Sequence, residues 1–151
     1  MRSTTHKKSG ENMRPRYETK KDLQNEKLFT QKYTRQYDFY KLPISYRLDF
    51  AVCRKGTKEI TGWVEFKRRH HKFGTYPTAL FSLGKIIYGL TMADTTSIPF
   101  FIAVMWDDDL RWMRVDMKDA TILWGSRTKN TRDRDDIEPA AHFPIDKFVR
   151  F

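Results

Sequence analysis

Residues 44–67 run ISYRLDFAVCRKGTKEITGWVEFK, and their reading decides the fold. From Ile44 to Cys53, Leu48, Phe50 and Val52 alternate with Arg47, Asp49 and Ala51, the period-two pattern of a strand with one buried face. Arg54-Lys55-Gly56-Thr57-Lys58 carries turn chemistry. From Glu59 to Lys67 the alternation resumes, Ile60, Val64 and Phe66 against Thr61, Trp63, Glu65 and Lys67. Two such runs around a glycine-bearing turn make a hairpin with one apolar face. Asp49, Glu65 and Lys67 all fall on the other face. A turn about Thr57 puts Asp49 directly opposite Glu65, where facing Cβ atoms lie roughly 5 Å apart.

Downstream, the spacing of Tyr76, Leu80, Leu83, Ile87 and Leu90 predicts a buried stripe on a helix from about Tyr76 to Asp94, opened by Pro77. Gly84 and Gly89 weaken that helix, so they are expected to permit close packing on the sheet. Ile98–Trp106 is almost wholly apolar and reads as a central strand buried on both faces. Asp107-Asp108-Asp109 turns the chain into a strand over Leu110–Val115, and residues 142–151 read as a last strand or short helix. The strand–helix–strand passage from Glu59 to Trp106 demands a crossover and hence a mixed sheet. Upstream, a helix is expected from Asp22, its N-cap, to about Tyr37, with Tyr33, Tyr37 and Tyr40 on its aromatic side and Pro43 closing the segment.

Residues 1–21 differ from the rest: they hold seven Lys or Arg against two Glu and almost nothing apolar. They are expected to form a flexible basic tail ahead of a single domain over 22–151. The chain has 151 residues and a formal net charge of +10, which suits a polyanionic partner. With 39% hydrophobic residues it can bury one core. No apolar run approaches the roughly 20 residues of a membrane span, and no secretory leader is evident. The single cysteine, Cys53, excludes an internal disulfide and fits a reducing compartment, the cytoplasm or nucleus. It stands beside a turn, where a strand cysteine packs rather than reacts.

The hairpin's polar face is where chemistry is expected. Two carboxylates opposed that closely repel unless a cation lies between them. Mg²⁺ or Mn²⁺ suits hard oxygen ligands, taking one or two carboxylates and completing its shell with water and phosphate oxygens. Such an ion would orient water and stabilise charge developing on a phosphate. Lys67, one step along the same face, adds a compact positive charge. Those are the parts that phosphodiester hydrolysis needs.

The segment Arg47-Leu48-Asp49-Phe50-Ala51-Val52, followed by Glu65-Phe66-Lys67, resembles the PD-(D/E)xK nuclease superfamily. The likeness covers roughly residues 22–115. Gly62–Trp106 and the ending Phe143-Pro144-Ile145-Asp146 are similar to small phage-encoded members, restriction-endonuclease-like and resolvase-like. The resemblance implies an α/β fold with a restriction-endonuclease-like mixed central β-sheet flanked by helices, an αβββαβ-type core. It implies Asp49 and Glu65 as metal ligands, Lys67 as the catalytic lysine and Glu26 as the acidic residue that many members carry on the first helix. It further implies DNA as substrate, a role in phage replication, recombination or repair in the host cytoplasm, and a homodimer that cuts two strands. Leu48 stands where the motif's name has proline. The alternative is a non-catalytic DNA-binding module with a degenerate nuclease-like hairpin.

Other residues are weighed beside this face. Arg68, Arg69, His70, His71 and Lys72 leave the second strand next to Lys67 and are expected to grip phosphates. Lys85, three residues after Ser82, can reach DNA or the active site, or serve as a surface lysine. With one cysteine and no HxxxH or CxxC spacing, His70-His71 gives no zinc site. Asp107-Asp108-Asp109 reads as an acidic turn rather than a metal cluster. Trp63 can stack on a base or pack across strands. Arg127, Lys129, Arg132 and Arg134 are interleaved with Asp133, Asp135 and Asp136, which makes their loop a poorer phosphate grip.

Overall fold

A computed structural model of the chain describes residues 19–33, 36–125 and 137–150. Most of the expected tail and the loop carrying Arg127, Lys129, Arg132 and Arg134 lie outside them. The element order is α1 (Lys20–Tyr33), β1 (Tyr37–Lys41), β2 (Phe50–Arg54), β3 (Ile60–Arg68), β4 (Thr78–Ser82), α2 (Leu83–Thr96), β5 (Phe100–Met105), β6 (Leu110–Arg114), β7 (Thr121–Trp124) and β8 (Pro139–Pro144). Five strands form the main sheet in the order β1-β2-β3-β5-β6, and three form a smaller one in the order β4-β8-β7. Within the main sheet β3 and β5 pair parallel while β1, β2 and β6 add antiparallel. The expected mixed sheet is present, with the β3–β5 crossover running through β4 and α2.

Apolar material covers both faces. Phe29 of α1 packs on Phe50, Val52, Val64, Phe66 and Ala103, its ring 5.0 Å from that of Phe66. On the opposite face Trp63, Ile102 and Val104 meet Ile86 of α2 and Phe81, Ala141 and Phe143 of the smaller sheet. An added Cβ at Gly89 would fall 2.3 Å from the Phe100 ring, so this glycine lets α2 approach β5 closely. Gly84 has no such neighbour, only the Ser82 hydroxyl at 3.8 Å. No helix among the described residues is long and apolar enough to cross a membrane.

Several expectations are corrected. Helix α1 starts at Lys20, and its cap is Thr19 rather than Asp22. Thr19 N–H donates to Asp22 Oδ2 at 2.9 Å and Asp22 N–H to Thr19 Oγ1 at 3.2 Å, a reciprocal capping box that draws Thr19–Lys21 out of the expected tail. The helix also ends by Tyr33; Tyr37–Lys41 is a strand, with Tyr37 and Phe39 facing the Phe29 cluster. The strand expected over Ile44–Cys53 begins only at Phe50. Ile44–Tyr46 is one turn of 3₁₀ helix, and Arg47 takes the left-handed conformation with φ 59. That turn sends Leu48 into the core on the α2 side, away from Phe50 and Val52. Finally, Thr78–Ser82 is a strand, so the helix expected from Tyr76 spans only Leu83–Thr96. Its buried residues are Ile86 and Gly89, whereas Tyr76 and Ile87 are exposed.

Candidate active site

Asp49 stands immediately before β2 and is held on both sides by backbone bonds. Its N–H donates to Val64 O at 3.1 Å, and its carbonyl accepts from Leu42 N–H at 2.9 Å. The paired register ends at Phe50↔Val64, and beyond it Asp49 reaches Val64 O and Phe66 N–H, the residues on either side of Glu65. A bulge between Val52 and Cys53 lies on the turn side of this pair and leaves it in place. Asp49 Oδ2 accepts from Phe66 N–H at 2.8 Å, which leaves Oδ1 turned toward the site.

Glu65 lies in the middle of β3, on the face that also carries Trp63 and Lys67. It is 3% exposed. Its Oε1 is shared by Lys67 Nζ at 3.3 Å and Lys85 Nζ at 3.1 Å, while its Oε2 is buried without a hydrogen-bond partner. Burial raises its pKa, Lys67 opposes the rise, Asp49 adds to it, and Lys85 again opposes. Lys85 also donates to Arg47 O at 2.9 Å, so the left-handed turn before Asp49 and helix α2 are tied to one carboxylate.

Glu26 comes from α1 on the opposite layer. Its two oxygens accept from Lys41 Nζ at 2.6 and 2.8 Å, and the same ammonium lies 3.5 Å from Asp49 Oδ1. Burial pushes the Glu26 carboxyl up to about 7, against the pull of Lys41 and with the charge of Asp49 adding to the rise. Sequence reasoning missed Lys41 because the helix expected to about Tyr37, with Tyr40 on its aromatic side, left no strand over Tyr37–Lys41. The signal was the alternation of Tyr37 and Phe39 about Asp38, which puts Lys41 on the α1-facing side of a strand. A cavity of ≈ 240 Å³ lined by Lys41, Arg47, Asp49 and Lys85 opens beside these groups.

The basic run after β3 divides. Arg68 reaches Asp107 Oδ1 at 2.6 Å and Met105 O at 3.1 Å and also donates to Arg69 O. Arg69 donates to Leu80 O at 2.9 Å and lies over the Phe81 ring. Both guanidiniums therefore fasten the loop to β4 and to the β5–β6 turn. His70 and Lys72 are exposed, and His71 is half-buried with its ring edge-on to Tyr76. Trp63 packs rather than stacks: it is buried and its indole N–H donates to Thr96 Oγ1 at 3.0 Å. The acidic turn is occupied by Arg68 on Asp107, Phe73 N–H on Asp108, and Arg111 with Arg150 on Asp109.

Among the described residues no three His, Cys, Asp or Glu side chains form a ready-made metal cage. A hard divalent ion does not require one, since it accepts one or two carboxylates together with water and phosphate oxygens. The donors present fit such an ion: Glu65 Oε2 is buried and unpartnered, the Asp49 charge acts on Glu65, and Asp49 Oδ1 lies 3.5 Å from Lys41 Nζ with the Glu26 carboxyl also against Asp49. An isolated buried carboxylate oxygen is costly, and a cation is the group that would satisfy it.

No curated protein matches the chain. Among solved structures, a Holliday junction resolvase, Hjc of Archaeoglobus fulgidus, is similar in fold, with TM-score 0.55 at 12% identity over 84% of this chain and 88% of that one. The likeness is that of the restriction-endonuclease-like fold, a mixed central sheet with two helices. Residues 12–151 match the family model "Phage putative PDDEXK endonuclease". With that match spanning nearly the whole chain, Asp49 standing just before β2 and Glu65 and Lys67 set on β3, the protein belongs to this family of PD-(D/E)xK nucleases.

Proposed function

We propose that the protein is a divalent-metal-dependent endonuclease hydrolysing DNA phosphodiester bonds. The observation that carries this reading is the juxtaposition of Asp49 and Glu65: Asp49 is bonded to Val64 O and Phe66 N–H, the residues on either side of Glu65, Glu65 Oε2 is buried and unpartnered, and Lys67 lies on the face of Glu65. Asp49 and Glu65 would hold Mg²⁺ or Mn²⁺, which when bound supplies Lewis-acid polarisation of a phosphoryl oxygen. Lys67 holds the attacking water and offsets charge on the phosphate. Glu26, with its carboxyl near 7, is matched to moving a proton close to neutral pH. Lys85 orients Glu65 and acts as a positioning residue. His70 and Lys72 contact phosphates beside the scissile bond, with His71 next to them and Arg68 and Arg69 fastening the loop that presents them.

The net charge of +10 supports DNA as the partner. The family's phage membership supports a role in viral replication, recombination or repair within the host cytoplasm. The resolvase likeness favours branched duplexes cut by a homodimer, one site per strand.

The test incubates plasmid and four-way-junction DNA with Mg²⁺, Mn²⁺ or EDTA. Cutting that requires a divalent ion and disappears in Glu65→Ala and Lys67→Ala supports the proposal. Binding without cutting in either metal establishes a non-catalytic DNA-binding module instead.

A further inference from the structure

We propose that Lys41 is a built-in counter-ion that holds the metal-free site together, and that a divalent ion has to displace it from Asp49. The inference rests on the metal-binding reading above and assigns Lys41 a place in it. Each carboxylate oxygen near the site has an assigned neighbour except one. Asp49 Oδ2 is taken by Phe66 N–H, and Glu65 Oε1 by Lys67 and Lys85. The Asp49 oxygen left for a cation is Oδ1, and the Lys41 ammonium already stands 3.5 Å from it. The same ammonium bridges to both oxygens of Glu26 at 2.6 and 2.8 Å, tying α1 to the sheet across the site.

Two cations cannot share that space at little cost. Like charges that close repel at the effective dielectric of a protein surface. Lys41 is well placed to yield. Its side chain is 40% exposed, its ammonium sits over the Phe50 ring at 5.3 Å from the centroid, and a four-carbon stem lets the head swing while staying on Glu26. Metal loading thus moves Lys41 off Asp49 and leaves it paired with Glu26. Lys41 is a positioning residue whose charge opposes metal binding, the reverse of what a structural prop or a metal-orienting residue would do.

The test measures Mn²⁺ binding calorimetrically on the whole chain, with no DNA and no turnover, for the wild type and Lys41→Met. The methionine keeps the apolar stem and removes the charge. We expect Mn²⁺ to bind about tenfold tighter to the variant, while its melting temperature without metal falls. Binding that is equal or weaker in the variant overturns the proposal and leaves the metal-binding reading intact. Binding by neither protein overturns both. If neither Lys41→Met nor Lys41→Gln folds, the ¹³Cε signal of Lys41 in the wild type decides under Mg²⁺ titration. A shift that saturates with bound metal supports displacement, and an unmoved signal overturns it.

Discussion

Glu65 is a carboxylate that folding has taken out of water, with one oxygen shared by two ammonium groups and the other left unpaired. In the metal-free protein such a group costs stability, because the unfolded chain hydrates it fully. The sign follows from linkage: burial raises its folded pKa above the ordinary 4.5, so the native state retains a proton that the unfolded state has released. Stability is therefore lost as pH rises from that value toward the folded pKa. Glu65→Gln removes the charge and with it this loss. The variant is expected to melt about 2–4 °C higher than the wild type without metal near pH 8, the shift made by ~1 kcal/mol in a domain of this size, and to gain nothing from Mn²⁺. Differential scanning fluorimetry with and without the ion checks both halves. Lys67→Ala is the complement. It leaves the fold standing and lowers single-turnover cutting by roughly 10²–10⁴-fold, the range for a group assisting proton transfer. Glu65 and Lys67 were legible in the sequence because side-chain alternation along a strand is local, whereas the same alternation singled out Asp49 although it stands before β2, past a left-handed turn. Lys41 and the Glu65-holding role of Lys85 were not legible, because each joins residues 15 and 20 positions apart that only tertiary packing brings together.

At the scale of elements, the legible parts were those with one unmistakable period. The hairpin turn, β3 and the apolar β5 needed nothing beyond their own residues. Strand β4 was hidden because Leu80 and Leu83 fit the 3.6-residue stripe of the helix after it, although Ala79 and Phe81 alternate inward against Thr78, Leu80 and Ser82. The left-handed turn at Arg47 had no glycine to announce it, and so the break before β2 read as continuous strand. Where the sequence did flag a close approach, at Gly89, the geometry allows a sharp expectation. The Phe100 ring that an added methyl would strike is 1% exposed and has nowhere to retreat. Gly89→Ala should thus lose about 1–3 kcal/mol by overpacking despite alanine's better helix propensity, whereas Gly84→Ala should stabilise by about 0.5–1 kcal/mol. Urea denaturation of the two variants side by side reads the difference. Equal effects would mean that α2 does not sit against β5 at Gly89.

Across the whole molecule, two sheets must be held in one body, and the last residues do this. Strand β8 belongs to the smaller sheet, yet the chain then crosses back. Phe148 is buried among Phe81, Trp106 and their neighbours, and Val149 bridges to Trp112 at the edge of β6. Asp109 closes the clasp, accepting from Arg111 Nε at 2.8 Å and Arg150 Nη2 at 3.2 Å. Burial pushes the Asp109 carboxyl up, but the hydrogen bonds from Arg111, Arg150 and Leu110 N–H outweigh it and hold the carboxyl below the usual 3.8. A folded pKa below the unfolded one means that this carboxylate stabilises the protein above the unfolded value. The contribution is lost as pH falls through the folded pKa. Asp109→Asn should accordingly lower the melting temperature near pH 7 and converge on the wild type in strong acid, while Phe148→Ala, which empties a core position, should cost about 3–5 kcal/mol at every pH. Melting curves from about pH 7 down to about pH 2 separate the two. If Asp109→Asn ran parallel to the wild type over that interval, the clasp would owe its strength to Phe148 packing alone, and the charged contacts would be surface pairs contributing little.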